Sequence, residues 1–471
     1  MAALLLALAL TASQYGYHRD ELYFRMLAPA WGYVDQPPLT PLIVKFTLLF
    51  GDEPGILRIP AIVFAVVSVL VVALTAREVG GRAFAQGLAA WGYAFGAVTL
   101  IMGHTFLTAS LDLVVWPLVL LFVIRVFTRE QQWWWLLAGL VAGLSMYNKL
   151  LIAMLLVAIA VGILIAGPRR ALASWWLVAG VGIVLLVGLP NLVYQVINGW
   201  PQLRMGAALE ADNGANVREL LGPFILLMLG PPLVPIWIAG IVALLRRREW
   251  RMLRWVPVAL LTGMVLVFVA GSQLYYGYGL LVTVYAIGCV PAAQWAARVP
   301  WRRGLLIAAI AVNSLVSIML ALPVLPVGIE AKTPIGGLDQ AIRDQVGWPT
   351  YVAQVEHVVA TLPPGSGATI IFASNYGEAG ALERYLPAGS PEVYSAHNAL
   401  GLLPPPVKID TAVVVGAQFA GARSVFRHCR IAGHLDDRVG MDNEEQGQPI
   451  GVCTGPTLSP AALLARARHL G

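Results

Sequence analysis

Asp20 and Glu21 are adjacent carboxylates flanked by His18 and Arg19, and a third, Asp35, follows just before Gln36-Pro37-Pro38. A positioned carboxylate can take the proton of an attacking hydroxyl or amine. Neighbouring residues point in different directions, so one of Asp20 and Glu21 is expected to face a cavity while the other braces the local structure. Arg19 and Arg25 are expected to hold such carboxylates ionised. Further polar residues interrupt apolar stretches downstream: Asp112 in TFLTASLDLVVWPL, Asn148-Lys149 in GLSMYNKLL, Asn191 and Gln195 four apart, and the run Ser272-Gln273-Leu274-Tyr275-Tyr276-Gly277-Tyr278. A lysine at the edge of a span suits a lipid phosphate, with Asn148 and Tyr276 beside it as donor-binding candidates. Asp112, Gln36, Arg19, Asp35, Asn191 and Gln195 form a wider polar set. Each also has a plainer reading: a solvated loop, a helix-terminal carboxylate, a snorkelling lysine or an interfacial aromatic belt. No H-x-x-x-H or C-x-x-C spacing occurs, so no metal ligands are assigned, and a need for a divalent metal stays open.

The elements that must position these groups are membrane helices. The chain of 471 residues is 58% hydrophobic and 12% charged, with mean hydropathy +0.74, against roughly 25% charged residues in soluble domains. The apolar segments are expected at 57–76, 83–102, 106–127, 133–148, 150–167, 172–196, 219–245, 255–271, 274–297 and 303–325. The N-terminal stretch, read as the outer part of a first span, brings the expected number to about eleven transmembrane helices. Fourteen Lys/Arg fall in one set of alternate loops and seven in the other. The richer set is assigned to the cytoplasm. The loop at 14–56, the loop at 197–218 and everything after about 326 are then outside. The excess of basic residues, net +6, needs no nucleic acid.

After 326 the hydropathy falls. Residues 368–373, 392–396, 411–416 and a run near 449–453 read as strands. Helices are expected over GEAGALERYL and 460–468, giving a small soluble α/β domain of doubly wound type. The expected division is therefore a transmembrane domain over 1–325, including the 14–56 loop, and an extracytoplasmic domain over 326–471. Cys429 and Cys453 in this region are disulfide candidates if it faces an oxidising compartment, whereas Cys289 lies in an apolar run and reads as core.

The segments His18-Arg19-Asp20-Glu21-Leu22-Tyr23-Phe24 and Gly32-Tyr33-Val34-Asp35-Gln36-Pro37-Pro38-Leu39 resemble membrane glycosyltransferases of the GT-C superfamily. The similarity is to the bacterial relatives of protein-O-mannosyltransferases and aminoarabinose transferases. The segments G-L-S-M-Y-N-K, P-N-L-V-Y-Q with N-G-W-P, and N-Y-G-E-A-G-A-L at 375–382 are similar to other parts of that family. The resemblance implies a polyprenyl-phosphate-linked sugar as donor, an active site on the outer leaflet and inversion at the anomeric carbon. It places Asp20 at the catalytic base, Asp112 at a second acidic position and Lys149 at a phosphate contact. Gln36 stands where aminoarabinose transferases carry a lysine. The function expected is an inverting glycosyltransferase at the cytoplasmic membrane, acting on a glycan, lipid or protein acceptor left open. The rival from another class is a transporter or flippase of a lipid-linked sugar, disfavoured because the polar groups gather on one face and not at the bilayer midplane. A non-enzymatic assembly subunit is the third.

Overall fold

The computed structural model describes residues 1–271, 273–334 and 339–471; Ser272 lies outside the described residues. By internal contacts the chain forms two compact units. One comprises Met1–Ala12, Gln36–Thr40 and Arg58–Leu322, the other Ser13–Asp35, Pro41–Leu57 and Pro323–Gly471. The last continuous stretch of the second unit begins at Pro323. Most of the 14–56 loop belongs with the C-terminal residues, however, and not with the membrane helices as expected. The loop's polar residues find their hydrogen-bond and ionic partners there, as shown below.

Among the described residues, six helices are long and apolar enough to cross a membrane: Pro54–Glu78, Thr108–Thr128, Trp175–Ile197, Arg251–Ala270, Leu274–Ala296 and Pro300–Ala321. Two bent pairs, Ala83–Ala94 with Ala97–His104 and Pro201–Leu227 with Pro231–Arg246, raise this to as many as eight. Three shorter apolar helices, Ala2–Thr11, Trp134–Ser145 and Ile152–Ala166, account for the remaining segments of the hydropathy pattern. The loop expected at 197–218 is a correction: a helix opens at Pro201, whose fixed φ suits a first helical position, and runs to Leu227.

Both bends have identifiable chemistry. Gly230 sits at φ 109° before Pro231-Pro232, where a Cβ would lie 1.8 Å from Asn313 Oδ1. Proline supplies no backbone donor and disfavours a helical residue before it, so the chain turns by 68°. The other pair breaks at Gly96, which is extended at φ −75°, ψ 143°, with a bend of 58°. A break inside an apolar slab frees carbonyls that lipid cannot satisfy. The amide of Asn313, buried on the helix Pro300–Ala321, donates to Leu229 O (2.8 Å) and to Phe95 O (3.4 Å), one carbonyl from each break.

The second unit is built on a five-stranded sheet, β1 (Thr369–Ala373), β2 (Glu392–Ser395), β3 (Thr411–Val415), β4 (Phe426–His434) and β5 (Pro449–Pro456), in the order β2-β1-β3-β5-β4. β1 is parallel to β2 and β3, joined to β2 through the helix Tyr376–Tyr385. β5 runs antiparallel to β3 and β4, so only half of the expected doubly wound arrangement is present. β4 escapes a hydropathy reading because FRHCRIAGH carries charge at the sheet edge, where one side needs no apolar cover. Cys429 and Cys453 are directly paired across β4 and β5 and form a disulfide. Within this unit the helix Arg19–Met26 packs on Tyr376–Tyr385; a Cβ at Gly380 would lie 2.7 Å from the Leu22 backbone, so only glycine admits that approach.

Candidate functional site

The residues of interest fall in both units. In the unit that contains the sheet, the helix Arg19–Met26 starts with a capping box. His18 Nδ1 accepts from Asp20 N (3.1 Å), and Glu21 Oε2 accepts from His18 N (2.8 Å). Glu21 is fully buried, so it braces the helix start and leaves Asp20 as the chemical partner of the pair. Asp20 is half-buried and its Oδ1 accepts from the Tyr376 hydroxyl at 2.9 Å. Tyr376 is itself placed by a second capping box at the start of Tyr376–Tyr385, in which Asn375 and Glu378 satisfy each other's backbone amides.

The Tyr376 ring is held from several directions: Tyr23 at 4.8 Å, His397 at 4.7 Å and the Arg19 guanidinium at 5.2 Å from its centre. The Tyr23 hydroxyl donates to Asp35 Oδ1 (3.0 Å) and accepts from Ala399 N (3.2 Å). Burial, more than the opposing Tyr23 hydrogen bond and the nearby Asp20 charge, pushes the Asp35 carboxyl up to about 7. Burial, with His469 and Arg19 adding repulsion, pulls the His397 imidazole down to about 3, so it is neutral. Two aspartates therefore share one aromatic-walled corner, and one of them changes charge near neutrality.

Two sequence expectations are corrected. Arg19 pairs with Glu444, Nη1 to Oε2 at 2.6 Å. Arg25 grips Asp52 through Nε (2.7 Å) and Nη2 (2.5 Å). Arg19 thus ties the loop to an acid near the C-terminus, and Arg25 pairs mainly within the loop, neither of them directly with Asp20 or Asp35. Tyr376, His397 and Glu444 were not singled out from the sequence as site partners. That stretch entered the sequence reading through the resemblance of N-Y-G-E-A-G-A-L at 375–382 and the helix expected over GEAGALERYL.

In the membrane unit, Lys149 sits in the short turn after Trp134–Ser145, with Asn148 N and Lys149 N both donating to Ser145 O at 2.9 Å. Its ammonium lies 4.9 Å from the Tyr276 ring centre and 5.7 Å from that of Tyr275, an arrangement favourable to a cation. Asp112 and Trp116, one helical turn apart on Thr108–Thr128, line a narrow cavity of about 20 Å³ with Tyr275, Tyr276 and Tyr278. Asp112 Oδ1 and Trp116 Nε1 have no hydrogen-bond partner among the described residues. Orphaned buried polar atoms cost free energy, and two on one cavity wall mark a place for a polar ligand group.

Among the other candidates, Asn148, Asn191 and Gln195 make hydrogen bonds that hold local structure. Asn148 accepts from Thr40 Oγ1 (2.7 Å) and donates to Thr108 O (2.7 Å), so its amide pins the segment after the double proline. Asn191 donates to Met146 O (2.7 Å), and Gln195 closes the turn into the next helix through Gln202. Gln36 is buried, with Nε2 unpartnered among the described residues. No cluster of His, Cys, Asp and Glu able to hold a metal ion is present among the described residues.

Residues 35–194 match the family described as Dolichyl-phosphate-mannose-protein mannosyltransferase. No curated protein sequence matches the chain. The fold is similar to that of ArnT from Cupriavidus metallidurans in the apo state, with a TM-score of 0.62 at 13% identity over 98% of this chain and 97% of that one. The same protein bound to undecaprenyl phosphate gives a TM-score of 0.60 at 14% identity over 96% of each chain. The chain thus has the polytopic helical fold seen in ArnT, and about a third of it, residues 35–194, matches the mannosyltransferase family.

Proposed function

We propose that the protein is an inverting glycosyltransferase that moves a sugar from a polyprenyl-phosphate donor to an acceptor at the outer face of the cytoplasmic membrane. The observation that carries this is the Lys149 ammonium over Tyr276, with the orphaned Asp112 Oδ1 and Trp116 Nε1 on the cavity that Tyr276 also lines. A departing lipid phosphate is an anion already, and it needs a cation and hydrogen-bond donors more than a proton. Lys149 and Trp116 supply these. ArnT, whose fold this chain shares, has been crystallised with undecaprenyl phosphate, which supports a lipid phosphate as the ligand class. Asp20, steadied by Tyr376, takes the proton of the acceptor as it attacks the anomeric carbon. Inversion follows from a single displacement. The charge asymmetry of the loops supports an outer location.

The test is incubation of the purified protein with radiolabelled undecaprenyl-phosphate sugars and a crude acceptor fraction. Loss of label from the lipid with release of undecaprenyl phosphate supports the reading. Movement of intact labelled lipid across a liposome, without cleavage of any sugar, refutes it in favour of a flippase.

A further inference from the structure

One large cavity, of about 400 Å³, lies in the unit containing the sheet and belongs to none of the groups above. Its floor is one face of the sheet, Ile370 and Phe372 from β1 with Ala412 and Val414 from β3, and Leu463 of the helix Pro460–Ala467 walls it. Floor residues are the core of this unit, only 1–5% exposed, so a cavity here leaves apolar surface without packing partners, which interiors rarely tolerate at this size. The mouth has a different chemistry. Arg466, Arg468 and His469 stand there, with Gln418 and Ser424, and no lining residue is acidic. Arg468 spends its Nε on Gly401 O (2.7 Å), fixing the guanidinium in place. Arg466 is exposed and has no carboxylate in the described ion pairs.

Pockets for small molecules are of this size and pattern, mostly apolar with a few placed polar groups. At about 30 Å³ for each water-sized group, the cavity holds roughly a dozen non-hydrogen atoms. We propose that it is a binding site for a small amphipathic anion, an alkyl or acyl chain whose carboxylate or phosphate is held at the mouth by Arg466 and Arg468. The inference does not rest on the transferase reading, because neither Lys149, nor any residue lining the Asp112–Trp116 cavity, nor Asp20 or Tyr376 lines this one; its neighbour in the Asp20 corner is His397, on which His469 stacks at 4.3 Å.

The test uses the full chain in nanodiscs and a decanoate carrying a terminal photoreactive diazirine, with labelled peptides identified by mass spectrometry. Labelling should fall on peptides containing Val414 or Leu463. Excess decanoate or decyl phosphate should compete, the stronger naming the headgroup, while decanol should compete poorly. Arg466→Glu, a change at an exposed position, should raise the midpoint of labelling by roughly tenfold or more, the worth of a hydrogen bond to a charged group. Val414→Trp should block labelling while leaving turnover of the lipid-linked sugar intact. Labelling confined to the membrane helices, equal competition by decanol, or an unchanged midpoint in Arg466→Glu would each overturn the proposal.

Discussion

Replacing Asp20 by Asn tests the chemistry most directly, because the structure fixes what else changes. Asn has nearly the same shape, and its Oδ1 can still accept from the Tyr376 hydroxyl that now lies 2.9 Å away. The aromatic corner of Tyr23, Tyr376 and His397 is therefore preserved, and the capping box, which uses the Asp20 backbone amide and the Glu21 carboxylate, is untouched. What disappears is the ability to accept a proton, worth roughly 10²–10⁴ in rate for a general base. Tyr376→Phe supplies the scale for mere orientation. It removes one hydrogen bond to a carboxylate, roughly 1.5–3 kcal/mol, or about 10- to 150-fold at most. Single-turnover transfer from labelled undecaprenyl-phosphate sugar should rank wild type above Tyr376→Phe and that above Asp20→Asn, with donor binding by equilibrium dialysis unchanged in both. Full transfer by Asp20→Asn would refute the assignment and move the base to Asp35.

The phosphate contact proposed for Lys149 would act in both ground and transition states, so Lys149→Ala should raise the KM for the lipid donor as well as lower turnover; a change in kcat alone would argue against a phosphate contact. Asp35 titrates near 7 when folded and near 3.8 when unfolded, so the folded state holds a proton that the unfolded chain has lost. Stability should therefore fall as pH rises from about 4 to about 7, with a limiting slope of about 1.4 kcal/mol per pH unit for this one group. Asp35→Asn should flatten that slope in chemical or thermal unfolding, and an unchanged slope would refute the burial argument. The Cys429–Cys453 bridge closes a loop of 24 residues, for which chain entropy gives about 3 kcal/mol; the double Ser variant should be cleaved faster by protease within 323–471, and non-reducing mass spectrometry should find the linked peptide. A cytoplasm-dependent reporter fused after Gly471 should stay silent, whereas a strong signal would reverse the orientation.

Hydropathy sufficed to find the membrane segments, because lipid demands long apolar runs wherever the chain crosses. It merged the bend at Gly230 into a single span over 219–245, since the turn depends on a glycine conformation and on Asn313 some eighty residues away. Polar residues in apolar surroundings, Asp112 and Lys149 above all, were legible for the same reason that makes them costly. Their partners were less so. Nothing local in His18–Phe24 announces that Tyr376 meets Asp20 or that Glu444 meets Arg19. The bracing role of Glu21 was hidden because its partner is His18, outside the Ser/Thr pattern that marks a capping box.

The hydrogen bond between Asp20 and Tyr376 spans 356 positions of the chain, and that separation has a meaning in time. At roughly 5–20 residues per second of synthesis, Tyr376 emerges roughly 20–70 s after Asp20. Arg19 waits longer still for Glu444. Through that interval the first loop is made but its acid and base have no native partners, while the membrane helices between them are being inserted. The corner around Asp20 consequently cannot form until the chain has been made at least as far as Tyr376, and a chain interrupted before that residue lacks it.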